Sequence, residues 1–296
     1  MAAGDQIATL IAHPDNPCLT LELASACQKA VAAGQVYHLA DGIACDIPLP
    51  AATVEAEETL KAVLAGQPID VVVQQADSRR KKALIADMDS TLIEQECIDE
   101  LADVAGIGAH VAEITAQAMR GEIEFEPALE KRLAGLAGKP SSLIDQVIKE
   151  RITLMSGATT LIATMKANGC YCALVSGGFT QFTSVIANRL GMDENRANTF
   201  EMDGENFTGR AVPPILGQEA KVEALLDISQ KQAIPVADFI AVGDGANDLG
   251  MLQSAGTGVA IHAKPIVAAQ SRVRVDHGDL TALLYIQGYR KADFVT

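Results

Sequence analysis

The sequence predicts an α/β protein: an open parallel sheet, a helical insertion, and a small α+β unit ahead of both. Three observations lead there. Short continuous apolar runs, A-L-I-A at 83–86, C-Y-C-A-L-V at 170–175 and F-I-A-V at 239–242, have the length of strands buried on both faces. Hydrophobic residues make up 49% of the chain, yet aromatics are only 4% and Trp is absent, the composition of Ala, Val, Leu and Ile packed between helices and a sheet. The polar chemistry follows directly after the apolar runs, and in open parallel sheets ligands bind outside the carboxyl ends of the strands.

Residues 1–76 read as a unit of their own. Ile7 to Ala12 is a strand, Thr20 to Ala33 a helix, Val36 to Ala40 and Ile43 to Ile47 two strands, Thr53 to Leu64 a helix and Ile69 to Gln74 a strand. Asp41-Gly42 between the middle strands is a hairpin signal. The order βαββαβ is the ferredoxin-like arrangement and is similar to ACT-type modules that bind amino acids. An amino-acid effector at residues 1–76 is one expectation, and a docking or dimerisation module the other, since fold alone does not fix function. Asp77 to Lys82, D-S-R-R-K-K, reads as a solvated linker.

After the strand at 83–86, residues 94–151 read almost entirely as helix: Cys97 to Val104, Val111 to Arg120, Phe125 to Leu136 and Ser141 to Ile148, separated by glycines and Pro140. A parallel crossover needs about a dozen residues, so most of this stretch is surplus and reads as an inserted cap able to exclude water from a strand-end site. Thr159 to Lys166 resumes as a helix and Cys170 to Val175 as a strand. Asn198 to Gly209, with Asp203-Gly204 inside it, is a second hairpin. Glu219 to Ile228 is a helix, Phe239 to Val242 a strand, and Val259 to Ile261 and Arg272 to Val275 are short final strands.

The candidate chemistry sits at three strand ends. Asp87 and Asp89, spaced i, i+2, leave the first strand together, and such a pair suits attack by one carboxylate with proton delivery by the other. A solvated strand-to-helix turn, with Asp89 or Ser90 as an N-cap, is the competing reading. Ser176-Gly177-Gly178 offers a hydroxyl and backbone N–H groups to an anion, or forms an ordinary turn. Gly243-Asp244-Gly245-Ala246-Asn247-Asp248 adds two further carboxylates. Lys221 in a helix's first turn opposes the helix dipole, an awkward place for a plain surface residue.

The net charge of −15 argues against nucleic acid and anionic membranes as partners, and an acidic protein that handles phosphate must supply positive charge locally. No stretch has transmembrane length, and His13, Pro14 and Asp15 interrupt the region a signal peptide would need, so the cytoplasm is the expected compartment. The six cysteines (18, 27, 45, 97, 170 and 172) show neither a disulfide framework nor zinc spacing.

In order and spacing, D-M-D-S-T (87–91), the serine after a strand, the lone lysine opening a helix, and G-D-G-A-N-D (243–248) resemble the motif series of the haloacid dehalogenase-like phosphohydrolases. Within that family, Glu96 in I-E-Q-E-C-I-D-E, the run A-M-R-G-E-I-E-F-E-P-A-L-E-K-R from Ala118 to Arg132, and V-S-G-G-F from Val175 to Phe179 are similar to the phosphoserine phosphatase branch. The resemblance covers about residues 82–290. Met88 departs from the Phe that many members carry between the aspartates, and is a soft apolar substitute.

The resemblance implies a Rossmann-like core over 77–93 and 152–296, a cap over 94–151, and Mg²⁺-dependent hydrolysis of O-phospho-L-serine, the last step of serine biosynthesis. It implies Asp87 as nucleophile forming an aspartyl-phosphate and Asp89 as acid, then base. Mg²⁺ would be held by Asp87, the Asp89 backbone carbonyl and Asp244, with Asp248 in support of the metal site or of Lys221. Ser176, Gly177, Gly178, Lys221 and Asn247 would cradle the phosphate. Arg132 would take the α-carboxylate, Glu96 the α-ammonium, and Met119 and Phe125 would form an apolar wall. A related phosphatase, or a phosphotransferase passing the group to an acceptor such as homoserine, is the neighbouring alternative, and a homodimer is a further expectation.

Overall fold

The computed structural model describes residues 6–50, 55–119 and 122–296, with Ala118, Met119 and Phe125 described by their backbone alone. The chain opens with β1 (Gln6–Ala12), α1 (Leu21–Ala30), β2 (Tyr37–Ala40), β3 (Ala44–Pro48), α2 (Ala56–Val63) and β4 (Ile69–Gln75). These strands form one antiparallel sheet in the order β2-β3-β1-β4, the ferredoxin-like order. The Thr20 hydroxyl caps α1 by accepting from Leu23 N–H at 3.2 Å. One face of the sheet buries Leu10, Cys45 and Ile47 under Cys27, Leu60 and Leu64 of the helical layer. The other face sends Ile11, Ala44 and Val72 into the main core of the protein.

The expected linker at 77–82 is instead a docked strap. Arg79 pairs with buried Asp46 at 2.8 Å, the Arg80 guanidinium lies 3.5 Å over the Tyr289 ring, and buried Lys81 donates to the Ala237 carbonyl at 2.8 Å. Long cationic side chains bury their stems when a carbonyl, carboxylate or ring receives the head group, which a count of charges along the sequence does not reveal. Asp70 of β4 completes the junction by accepting from the N–H groups of Asp276, His277 and Gly278.

The remaining elements are β5 (Ala83–Ala86), α3 (Cys97–Val104), α4 (Gly108–Met119), α5 (Phe125–Ala134), α6 (Ser142–Glu150), α7 (Ala158–Ala167), β6 (Tyr171–Phe179), α8 (Thr180–Leu190), β7 (Glu194–Asn198), β8 (Phe200–Asp203), β9 (Asn206–Ala211), α9 (Gln218–Gln232), β10 (Phe239–Gly243), α10 (Leu249–Ser254), β11 (Thr257–Ile261), α11 (Pro265–Ala268), β12 (Val273–Val275) and α12 (Ala282–Ile286). The larger sheet runs β12-β11-β10-β5-β6-β7, and every pair in it is parallel. Alternate residues face opposite layers. Leu84, Cys172, Leu174, Ile240 and Val242 share a cluster with Leu161, Phe182 and Tyr285. Ile85, Ala173, Val175 and Ala241 pack with Ala224, Leu225, Met251 and Val267 on the other side.

From β5 the chain proceeds to β6 and β7 on one side, then returns to build β10, β11 and β12 on the other. The order therefore reverses between β5 and β10, and a crevice opens at their carboxyl ends. Helices α3 to α6 are inserted between β5 and α7, and α3 and α5 line this crevice. The hairpin β8–β9 joins this helical layer through Gly138 N–H to the Phe207 carbonyl at 2.8 Å and Ser141 N–H to the Glu205 carbonyl at 2.8 Å. Among the described residues no helix is long and apolar enough to cross a membrane.

Candidate active site

The turn after β5 is built by its backbone. The Asp87 N–H continues the ladder to the Val242 carbonyl at 3.0 Å, and the N–H groups of Thr91, Leu92 and Ile93 all converge on the Met88 carbonyl. Met88, Leu92 and Ile93 are buried, and Ser90 makes the reversal with a left-handed φ of 54°. Asp87 and Asp89 thus reach the crevice from a turn anchored in the core. Asp89 Oδ1 accepts from the Cys97 N–H at 3.0 Å, so it does cap a helix, but α3 of the cap rather than a local turn. Burial, with Glu96 nearby, pushes the Asp89 carboxyl up to about 7. That poises it to hold a proton near neutral pH.

Beneath the turn lies a charge cluster. Oxygens of Asp87, Asp244 and Asp248, all buried, lie within 4.8 Å of one another. Lys221 enters from the first turn of α9, is 1% exposed, and its Nζ sits 2.7 Å from Asp87 Oδ1 and 2.6 Å from Asp248 Oδ1. Burial works against the ammonium, but Asp87 and Asp248 overcome this and raise its pKa. Asp87 is held well above the usual carboxylate range by burial and then by Asp248, with Lys221 opposing. Burial lifts Asp244 to about 6. Asp248 also accepts from the Asp244 and Gly245 N–H groups at 3.2 and 3.0 Å, so it organises its own loop as well as Lys221. A Cβ on Gly243 would stand 2.4 Å from the Asp248 carboxyl carbon, which is why glycine ends β10.

A donor set of three carboxylates with no sulfur or imidazole fits a hard divalent cation such as Mg²⁺. The Asp89 carboxylate lies outside this set and is directed to Cys97. Two residues that the sequence reading passed over also touch Asp244. The Thr91 hydroxyl donates to Oδ1 at 3.3 Å, and Lys264 Nζ stands 3.6 Å from Oδ2. Lys264 follows β11, a fourth strand end beside the crevice, and its position there was the available signal.

Above the cluster is a cavity of about 230 Å³. Asp87, Asp89, Ser176, Gly177, Gly178, Asp244 and Asn247 line it from the core, and Glu96, Ile98, Leu129 and Arg132 from the cap. Ser176 to Gly178 form the last part of β6 rather than a turn beyond it. Gly178 N–H donates to Ser176 Oγ at 2.9 Å, and a Cβ on Gly178 would meet Asp89 Oδ2 at 3.0 Å. Glu96 accepts from the Ser90 hydroxyl at 3.0 Å. The Arg132 Nε donates to Ala128 O of its own helix at 3.3 Å, and among the described residues no carboxylate lies within ion-pair distance of the guanidinium. Lys221 is buried behind Asp87, where it faces the carboxylates. The side chains of Met119 and Phe125 lie outside the described residues, and the described apolar lining comes from Ile98, Leu129 and Phe179.

A family model for haloacid dehalogenase-like hydrolases matches residues 84–253, which run from the second residue of β5 through most of α10 and hold Asp87, Lys221, Asp244 and Asp248. The chain belongs to that family. A phosphoserine phosphatase of Streptomyces coelicolor is 36% identical over 300 residues, covering 98% of this chain and 72% of its own length. Related phosphoserine phosphatases from Mycobacterium tuberculosis, Vibrio cholerae and Haemophilus influenzae are also longer, and this chain spans 58 to 64% of them. Among solved structures, a probable phosphoserine phosphatase from Vibrio cholerae in unliganded form is 28% identical with a TM-score of 0.79, over 98% of this chain and 88% of that one. A phospho-aspartyl intermediate analogue of phosphoserine phosphatase is 38% identical with a TM-score of 0.65, over 70% of this chain and 98% of that one. As a haloacid dehalogenase-like hydrolase, the protein carries its strand-end aspartates within the matched region and its four-stranded antiparallel sheet outside it.

Proposed function

We propose that the protein is a Mg²⁺-dependent phosphoserine phosphatase that hydrolyses O-phospho-L-serine to L-serine and phosphate. The observation that carries this reading is one cavity with two opposed characters. Its floor holds Asp87, Asp89 and the carboxylate cluster, and its cap wall holds Glu96 and Arg132. The floor suits a phosphoryl group beside carboxylates that would hold a divalent cation. The wall offers a fork for a carboxylate and an acceptor for an ammonium, the two ends of a free amino acid.

In the first half-reaction an Asp87 oxygen forms a bond to phosphorus as the phosphorus–ester oxygen bond breaks. The electron pair leaves on the serine oxygen, which takes the proton of Asp89. In the second half, Asp89, now a carboxylate, accepts a proton from water. The water oxygen bonds to phosphorus, the bond to Asp87 breaks, and phosphate leaves. Phosphoryl transfer of this kind asks mainly for in-line positioning and charge neutralisation. Asp87, Asp244 and the Asp89 main chain would hold Mg²⁺, which when bound supplies positive charge to the phosphate oxygens. Lys221 holds Asp87 in place and favours its ionised form against burial and Asp248. The relatives named phosphoserine phosphatase, and the phospho-aspartyl analogue of one of them, support the same reading.

The test is phosphate release from O-phospho-L-serine against a panel of phosphomonoesters, with Mg²⁺ and with EDTA, for the wild type and Asp87→Asn. Selective, Mg²⁺-dependent hydrolysis that is lost in Asp87→Asn is the expected result. Release from aryl phosphates but not from phosphoserine keeps the chemistry and removes the substrate.

A further inference from the structure

We propose that Asn198, which lies outside the cavity, is a positioning residue for phosphate binding: its buried amide aims the Ser176 hydroxyl and seats the start of α9. Asn198 is the last residue of β7 and is 2% exposed. Its NH₂ donates to the Gly177 carbonyl at 2.8 Å and to the Leu216 carbonyl at 3.2 Å, and its Oδ1 accepts from the Leu216 N–H at 2.7 Å. Two carbonyls on one side and an N–H on the other settle which end is nitrogen, because a flipped amide would set oxygen against two carbonyl oxygens.

The Gly177 carbonyl and the Gly178 N–H belong to one peptide unit, and each end of that unit is engaged. The carbonyl accepts from Asn198, and the N–H donates to Ser176 Oγ at 2.9 Å. A hydroxyl that accepts from Gly178 must send its own proton elsewhere, and the space Ser176 lines is the cavity over Asp87. The result is a series of aligned dipoles: Asn198 amide, the Gly177–Gly178 peptide, the Ser176 hydroxyl and then the bound phosphate. Such chains polarise one another in a buried setting. The ladder between β6 and β7 slips its register between Val175 and Phe179, the stretch that contains Gly177, so the Asn198 side chain makes a contact there that regular pairing does not.

The second arm reaches the lysine. Asn198 grips both main-chain groups of Leu216, two residues before α9 begins at Gln218, and Lys221 stands in that helix's first turn. One buried side chain therefore ties together the phosphate-facing hydroxyl and the segment that delivers the cation paired with Asp87.

This inference rests on the proposed binding of a phosphate over Asp87. The experiment compares wild type, Asn198→Ala, Ser176→Ala and the double variant. It measures kcat and KM on O-phospho-L-serine and p-nitrophenyl phosphate, inorganic phosphate affinity by calorimetry with Mg²⁺, and thermal unfolding. A misdirected donor is expected to lower kcat about 100-fold, equally on both esters, and to weaken phosphate binding. The double variant should then lose little more than Asn198→Ala alone. Asn198→Asp, which keeps the shape and the acceptor for Leu216 but removes both donors, carries the same test if Asn198→Ala does not fold. Equal Ser176→Ala losses in both backgrounds, or a folded Asn198 variant with wild-type kcat and phosphate affinity, would overturn the proposal. A wild type that binds no phosphate and hydrolyses neither ester removes the parent reading, a distinct outcome that takes this inference with it.

Discussion

Replacing Lys221 with Met keeps the volume of the side chain and removes its charge, which makes it a direct probe of the cluster under the active-site turn. Three carboxylates, Asp87, Asp244 and Asp248, share that space with two ammonium groups, Lys221 between Asp87 and Asp248 and half-exposed Lys264 beside Asp244. One negative charge is left over in the native protein and two in the variant. Breaking a buried pair by removing one partner costs about 3–5 kcal/mol, because the remaining charge cannot reach water. For a chain of this size that lowers Tm by roughly 10 °C. The loss depends on pH in a definite direction. Asp87 already binds its proton more tightly than an ordinary carboxylate does, through burial and Asp248, and Asp244 is held up to about 6. Groups with raised folded pKa values destabilise when ionised, so the deficit is largest above neutral pH and shrinks as pH falls through 6 and below. A divalent cation binds the folded variant and should return more stability to it than to the wild type. Thermal unfolding at pH 8 and pH 5, with Mg²⁺ and with EDTA, reads all three effects. A variant with wild-type Tm at pH 8, or a deficit that grows on acidification, would refute the account of the cluster.

Three further outcomes follow from the same geometry. Arg132→Ala is expected to raise KM for O-phospho-L-serine by about 10- to 100-fold, the worth of a hydrogen bond to a charged group, while leaving an aryl phosphate unaffected; equal effects on both esters in steady-state assays would remove the cap's role in substrate choice. Gly178→Ala places a Cβ 3.0 Å from Asp89 Oδ2 and 3.1 Å from Ser176 Oγ, and displacement of these groups should lower kcat about 100-fold with little change in Tm; wild-type turnover would show that the strand end can yield. Asp70→Ala leaves the N–H groups of Asp276, His277 and Gly278 without their acceptor and should cost about 1–3 kcal/mol with kcat unchanged, so an unaltered melting curve would contradict the structural role of that junction.

Strands buried on both faces were legible because parallel sheets demand continuous apolar runs, and β5, β6 and β10 have them. β7 was not, because E-N-R-A-N is polar: it pairs on one side alone at the sheet's edge, and Arg196 is engaged with Glu194 and Asp227. The four cap helices emerged from glycine and proline punctuation, within a few residues at each end. The carboxylates were visible as charge placed abruptly after apolar strands. What stayed hidden were groups whose role depends on direction rather than type. Asn198 looks like any hairpin-flanking residue until its amide is seen gripping Gly177 and Leu216, and Lys264 becomes meaningful only once β11 is known to lie beside β10. The strap at 77–82 misled for a related reason, since local composition does not show which acceptors the fold brings to each cation.

Eleven residues, 87 to 97, contain the nucleophile candidate, the acid candidate and the residue proposed to receive the substrate's amino group, and the compactness has a mechanical basis. The left-handed Ser90 reverses the chain, and three N–H groups close on the Met88 carbonyl. Leu92, Ile93 and Cys97 then bury their side chains in the core. Glu96 sits at the start of α3, where a side chain ordinarily caps the helix, yet it makes no such bond. Asp89 supplies an acceptor to Cys97 N–H instead, which leaves the Glu96 carboxylate free to turn toward Ser90 and the cavity. The exchange of roles binds the first helix of the cap to the acid itself. Glu96, proposed to receive the amino group, and Asp89, proposed to protonate the leaving oxygen, are therefore held in one frame, independent of α5 and Arg132.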